Sequence, residues 1–141
     1  MGPLDTSRLP RDALILLDSP PIIYVLEHHP TLAQRFQPLF DRHAAGELAF
    51  AVTTMTIAEV LTGPLRAGNE ALAKRYRAIM ESWNVIELTT DIAETAARLR
   101  ASLKLKLADA VQVASGLAAN ACAVVTHDRD FSRVSALIVL H

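Results

Sequence analysis

The chain has 141 residues, of which 51% are hydrophobic, 21% charged and 5% aromatic, a composition that excludes a disordered chain and suits one aliphatic globular domain. Lys and Arg together number 14 against 15 Asp and Glu, a net charge of −1, which weakens the case for a protein that coats a polyanion through many cationic contacts. Local patches or a bound cation would have to meet a phosphate backbone.

Residues 1–12 read as an N-terminal extension and 13–141 as a single domain. The opening stretch mixes Asp5 and Asp12 with Arg8 and Arg11 and lacks the basic-then-apolar pattern of a secretory leader. Ala13 to Leu17 (ALILL) is a continuous apolar run stopped by Asp18-Ser19-Pro20-Pro21, as expected of a strand buried on both faces. A short helix is expected after Pro21, and a second over Thr31 to Ala45, which Gly46 ends. Leu48 to Val52 (LAFAV) is the second strand. The spacing Thr56-Ile57-Ala58-Glu59 predicts a capping box that opens the next helix.

Asn69 to Trp83 is amphipathic and helical, Val85 to Leu88 is a third strand, and Asp91 to Leu103 resumes helical periodicity. Ala108 to Asn120 reads as a closely packing helix of small residues, followed by strands at Ala121 to Val125 and Ala136 to Leu140. Alternating strands and helices predict an α/β fold, with a central, mainly parallel sheet flanked by helices on both faces. Such sheets form their sites beyond the carboxyl ends of the strands. The apolar runs fall well short of the roughly 20 residues that cross a bilayer. The lone Cys122 lies in an apolar run and is expected to be buried, which suits a reducing cytoplasm.

Four segments bring an acid to that carboxyl edge. Asp18 follows the first strand, Asp128 follows the fourth through Thr126-His127, and Glu59 and Asp109 lie near the starts of helices. Singly, each has a structural reading: Asp18 as a helix cap, Glu59 as a capping-box partner, Asp109 as a group favoured by the helix dipole, Asp128 as a turn former. Together they would repel one another or recruit a hard cation, Mg²⁺ or Mn²⁺. A cation held there could acidify a water and neutralise charge developing on a phosphodiester.

The histidines, His28, His29, His43, His127 and His141, show no zinc-binding pair on one helix and are expected mostly in solvent. His127 has a phosphate contact as its alternative. Ser19 and Ser115 are candidates to steady a carboxylate or a water, without the setting of a serine nucleophile. Arg66, Lys74, Arg75, Arg77, Lys104 and Lys106 form either a phosphate-tracking rim or a solvated helix face. Leu61, Leu65 and Tyr76 could meet a partner or a second copy of the chain.

The segments LILLDSPPIIYVLE (Leu14 to Glu27), TTMTIAEVLTGPL (Thr53 to Leu65) and LKLADAVQVASGLAANACAVVTHDRDF (Leu105 to Phe131), with acid spacings of 41, 50 and 19 residues, resemble the PIN-domain family of metal-dependent nucleases. The resemblance covers nearly the whole chain. It implies that Asp18, Glu59, Asp109 and Asp128 are the metal-binding and catalytic acids, with Thr126 and Asp130 supporting them; Ser19 is a supporting candidate from its place beside Asp18. The compact layout resembles the toxin of VapBC toxin–antitoxin pairs, which implies an Mg²⁺- or Mn²⁺-dependent endoribonuclease with RNA as substrate and an antitoxin protein as partner; a homodimer is a further expectation. Alternatives are a PIN-type nuclease of RNA processing or DNA metabolism, and a catalytically inactive binding module. A response-regulator-like module fits poorly, because His127 rather than a lysine follows Thr126. Pro20 and Pro21 depart from the small or aliphatic residues common in the family and are expected to stiffen the loop beside Asp18.

Overall fold

The structure, a computed structural model, describes residues 2–127 and 138–141. Five strands, β1 (Ala13–Leu17), β2 (Leu48–Thr53), β3 (Asn84–Ile86), β4 (Ala123–Val125) and β5 (Ile138–Leu140), form one sheet in the order β3-β2-β1-β4-β5, and each neighbouring pair is parallel. Six helices accompany them: α1 (Ser19–Leu26), α2 (Leu32–Ala44), α3 (Thr54–Arg66), α4 (Glu70–Glu81), α5 (Thr90–Leu103) and α6 (Leu107–Ala118). The expected α/β architecture is therefore present. Strand ends differ by a residue or two where flanking residues are not hydrogen-bonded into the ladder: the third strand is Asn84–Ile86 rather than Val85 to Leu88. Of the expected last strand, Ala136 and Leu137 lie outside the described residues.

The period-2 alternation of a strand explains why ALILL is apolar throughout. Ala13, Ile15 and Leu17 face a core shared with Phe50, Val52, Ile22, Phe36, Leu39, Val60, Tyr76 and Met80, from β2 and α1 to α4. Leu14 and Leu16 face a second core built with Ala51, Val124, Ile92, Ala96, Val113 and Ala114, from β2, β4, α5 and α6. A parallel sheet needs both covers, since neither apolar face tolerates water. The N-terminal stretch joins the first core through Leu4 and Leu9. It is fastened by Arg42, which donates to the Thr6 and Leu9 carbonyls.

Strand order reverses between β1 and β4. Such a switch point is where a parallel sheet forms a crevice beyond the carboxyl ends of its strands. Asp18 and Thr126 stand there. Pro20 and Pro21 are not in a loop: they occupy the first turn of α1, where a missing N–H costs nothing because no intrahelical acceptor exists for it. The expected stiffened loop is thus a pre-organised helix start, capped by Asp18.

An aromatic cluster secures α2 to β2 and the end of α4. Phe50 meets Phe40 edge-on at 5.1 Å and Trp83 at 5.2 Å, while the His43 ring stacks on Phe50 at 4.1 Å with the planes 7° apart. His43 is thus not a solvated residue as the sequence suggested. Desolvation lowers its pKa from the ordinary 6.5. The fold prefers the neutral ring, so this contact contributes fully above the ordinary value and is lost as pH falls through it. His43→Phe is expected to flatten the fall in melting temperature between neutral pH and about pH 5.5, as read by thermal denaturation; an unchanged slope would contradict the assignment.

Candidate active site

The site grows from the end of β1. Asp18 leaves the strand in extended conformation and caps α1, its Oδ1 accepting from the Ser19 amide at 2.9 Å. The structural reading of Asp18 as a cap is correct, and it does not compete with a second role. Oδ1 also accepts from Gln112 Nε2 of α6 at 3.0 Å, and Oδ2 accepts from the Thr126 hydroxyl at 2.9 Å, just past β4. One carboxylate thereby joins three segments far apart in sequence.

α3 begins one turn earlier than expected. Thr53, not Thr56, is its cap: Thr53 Oγ1 accepts from the Thr56 amide at 3.1 Å. The anticipated capping box is therefore absent, and Glu59 sits in the second turn. This frees its carboxylate from backbone duty. Desolvation raises the Glu59 pKa from its ordinary 4.5, the negative charge of Asp18 raises it further, and the Ser19 hydroxyl opposes both by hydrogen bonding. Glu59 as a whole is exposed, so solvent screens the repulsion and keeps it modest. The direction nonetheless places Glu59 and Asp18 in each other's field, with Ser19 beside both.

Asp109 lies in the first turn of α6 and is buried, 7% exposed. Gln112 follows it by three residues, so the two share a helix face. Gln112 is 1% exposed and its Nε2 also donates to Thr56 Oγ1 at 2.6 Å, while Thr53 and Thr56 are themselves buried and joined through their hydroxyls at 3.2 Å. The sequence marks Thr56 only as a helix cap and gives Gln112 no role. The available signal was a Gln three residues after Asp109 in a helix otherwise small and aliphatic.

Asp128 and Asp130 lie outside the described residues. Their neighbour His127 is no solvated loop residue: Nδ1 lies 3.0 Å from the Tyr24 hydroxyl, and the ring meets Tyr24 and Phe36 edge-on. Of the proposed cationic rim, Arg77 is paired with Glu81 at 3.1 Å, and Arg66, Lys74, Arg75, Lys104 and Lys106 are exposed. A groove between α3, α4 and β3, lined by Ile57, Leu61, Arg77, Glu81 and Val85, includes none of the candidate acids.

Among the described residues no three His, Cys, Asp or Glu side chains converge closely enough to hold a metal ion. The donor chemistry nevertheless fits a hard cation. The groups near Asp18 are carboxylate, hydroxyl and amide, without thiolate, and the mutual repulsion of Asp18 and Glu59 is of the kind a divalent ion relieves.

A family model for the PIN domain matches residues 15–137. No curated protein sequence matches the chain. Among solved structures, a toxin–antitoxin complex from Klebsiella pneumoniae is similar at a TM-score of 0.70 and 23% identity, over 88% of this chain and 95% of the other. A VapBC complex from Rickettsia felis, bound to a DNA fragment from its promoter, matches at 0.69 and 19%, over 89% and 96%. A VapC toxin from Mycobacterium tuberculosis that cleaves the sarcin–ricin loop matches at 0.68 and 19%, over 84% and 92%. At such identities the likeness is one of fold.

The raised Glu59 pKa carries its own prediction. A carboxylate that the folded state prefers protonated destabilises the protein above its pKa and ceases to do so as pH falls through the carboxylate range. With a chelator present, Glu59→Gln is expected to raise the melting temperature at neutral pH, and the gain should shrink on acidification. A loss of stability at neutral pH would contradict it.

Proposed function

The chain belongs to the PIN-domain family, and from that membership we propose that it is a metal-dependent endoribonuclease, the toxin of a toxin–antitoxin pair, hydrolysing RNA phosphodiester bonds in the cytoplasm. The observation that carries this reading is Asp18: a carboxylate held through both oxygens at the crevice between β1 and β4, within the field of Glu59. Fixed carboxylates at that place are what positioning of a cation and a water requires.

Asp18, Glu59, Asp109 and Asp128 are the acids assigned to hold Mg²⁺ or Mn²⁺. The ion would supply an acidified water and neutralise charge developing on the phosphate. Glu59, in the field of Asp18, is suited to hold the ion or to orient the attacking water. Thr126 and Ser19 hold the carboxylates in place, and Asp130 is assigned a supporting role. The antitoxin partner is supported by the fold's likeness to chains solved in toxin–antitoxin complexes.

The test is cleavage of a pool of structured RNAs by the wild type, Asp18→Asn and Asp109→Asn, with Mg²⁺, Mn²⁺ or chelator. Metal-dependent cutting by the wild type, reduced in both folded variants to the level of the chelated wild type, is expected. Full cutting by either variant would remove that residue from the site, and no cutting by the wild type under either metal would favour an inactive binding module.

A further inference from the structure

Each oxygen of a carboxylate offers two lone pairs. Those of Asp18 Oδ1 meet two donors, the Ser19 amide at 2.9 Å and Gln112 Nε2 at 3.0 Å, whereas among the described residues Oδ2 accepts from the Thr126 hydroxyl at 2.9 Å. The Gln112 amide has its orientation fixed by chemistry, because an ionised carboxylate accepts only and so the NH₂ end must face Asp18. The same Nε2 donates to Thr56 Oγ1 at 2.6 Å, which uses both of its protons.

Gln112 also connects the elements that bear the acids. Thr56 precedes Glu59 by three residues on α3, and Gln112 follows Asp109 by three on α6. Its two bonds therefore link the Asp18 segment, the Glu59 helix and the Asp109 helix through one side chain, 1% exposed. Gln112 Oε1 has no hydrogen-bond partner among the described residues. A buried acceptor left in that state is costly, so packing alone is a poor reason for Gln at this position: methionine would fill similar space without the orphan atom.

We infer that Gln112 is a positioning residue for the metal site, saturating Asp18 Oδ1 so that Oδ2 is the oxygen presented to the cation, and fixing the Asp18, Glu59 and Asp109 segments relative to one another. This rests on the nuclease reading above. Outer groups of this kind set ligand orientation. Without Gln112, Asp18 regains freedom about its side-chain torsions and Oδ1 becomes available.

The experiment measures Mn²⁺ binding by calorimetry, together with RNA-cleavage kcat and KM, for wild type, Gln112→Met, Thr56→Val and Asp18→Asn. Gln112→Met is expected to fold, to melt near the wild type in chelator, and to bind Mn²⁺ about 10- to 100-fold more weakly, with kcat lowered and the KM for RNA unchanged. Thr56→Val, which removes the second anchor of the amide, is expected to shift affinity in the same direction by less. Unchanged Mn²⁺ affinity in folded Gln112→Met would overturn the inference; should that variant not fold, unchanged affinity in Thr56→Val would do so. Absence of Mn²⁺ binding by the wild type would remove the nuclease reading and this inference with it, whereas wild-type binding lost only in Asp18→Asn would remove this inference alone.

Discussion

Three hydrogen bonds to the Asp18 carboxylate, from the Ser19 amide, the Gln112 amide and the Thr126 hydroxyl, tie the end of β1 to α1, α6 and the segment after β4. Bonds to a charged group contribute about 1.5–3 kcal/mol each, and here they connect residues up to 108 positions apart. The constraint is local in space and long-range in sequence, so it exists only once the sheet is assembled. Parallel pairing of β1 with both β2 and β4 puts β1 in the middle, and the reversal of strand order beside it opens the crevice in which its terminal aspartate stands.

Capping by Asp18 is compatible with the metal-binding role proposed for it. Capping uses one lone pair of Oδ1 and stabilises α1, whose first turn is already pre-set by Pro20 and Pro21. Gln112 takes the second lone pair of Oδ1, and Thr126 takes one of Oδ2. The Glu59 pKa is raised first by desolvation and then by the negative charge of Asp18, a combination found at functional sites and in structural ion networks alike.

Much of this was legible in the sequence. The runs ALILL and LAFAV announce buried strands, their alternation with helices fixes the fold class, and Asp18 and Asp109 fall at element ends where a parallel sheet gathers its site. What could not be read has physical reasons. The start of α3 is ambiguous in the sequence because Thr53, Thr54 and Thr56 are all competent caps; in the structure Thr53, the last residue of β2, takes that place. Gln112 was passed over because its meaning lies in bonds to residues 94 and 56 positions away. His43 and His127 were read as solvated because no sequence period reports that Phe50 stacks on one and Tyr24 reaches the other.

The proposed function requires that Asp18, at the carboxyl end of β1, help to hold a divalent cation. The most direct measurement is the anomalous difference map of a crystal of the protein grown with Mn²⁺. One or more peaks are expected in the crevice, with Asp18 Oδ2 coordinating at about 2.1 Å and Glu59 or Asp109 completing the ligand set directly or through water. Ordered Mn²⁺ elsewhere with this crevice empty at saturating metal, or coordination that excludes Asp18, would contradict it.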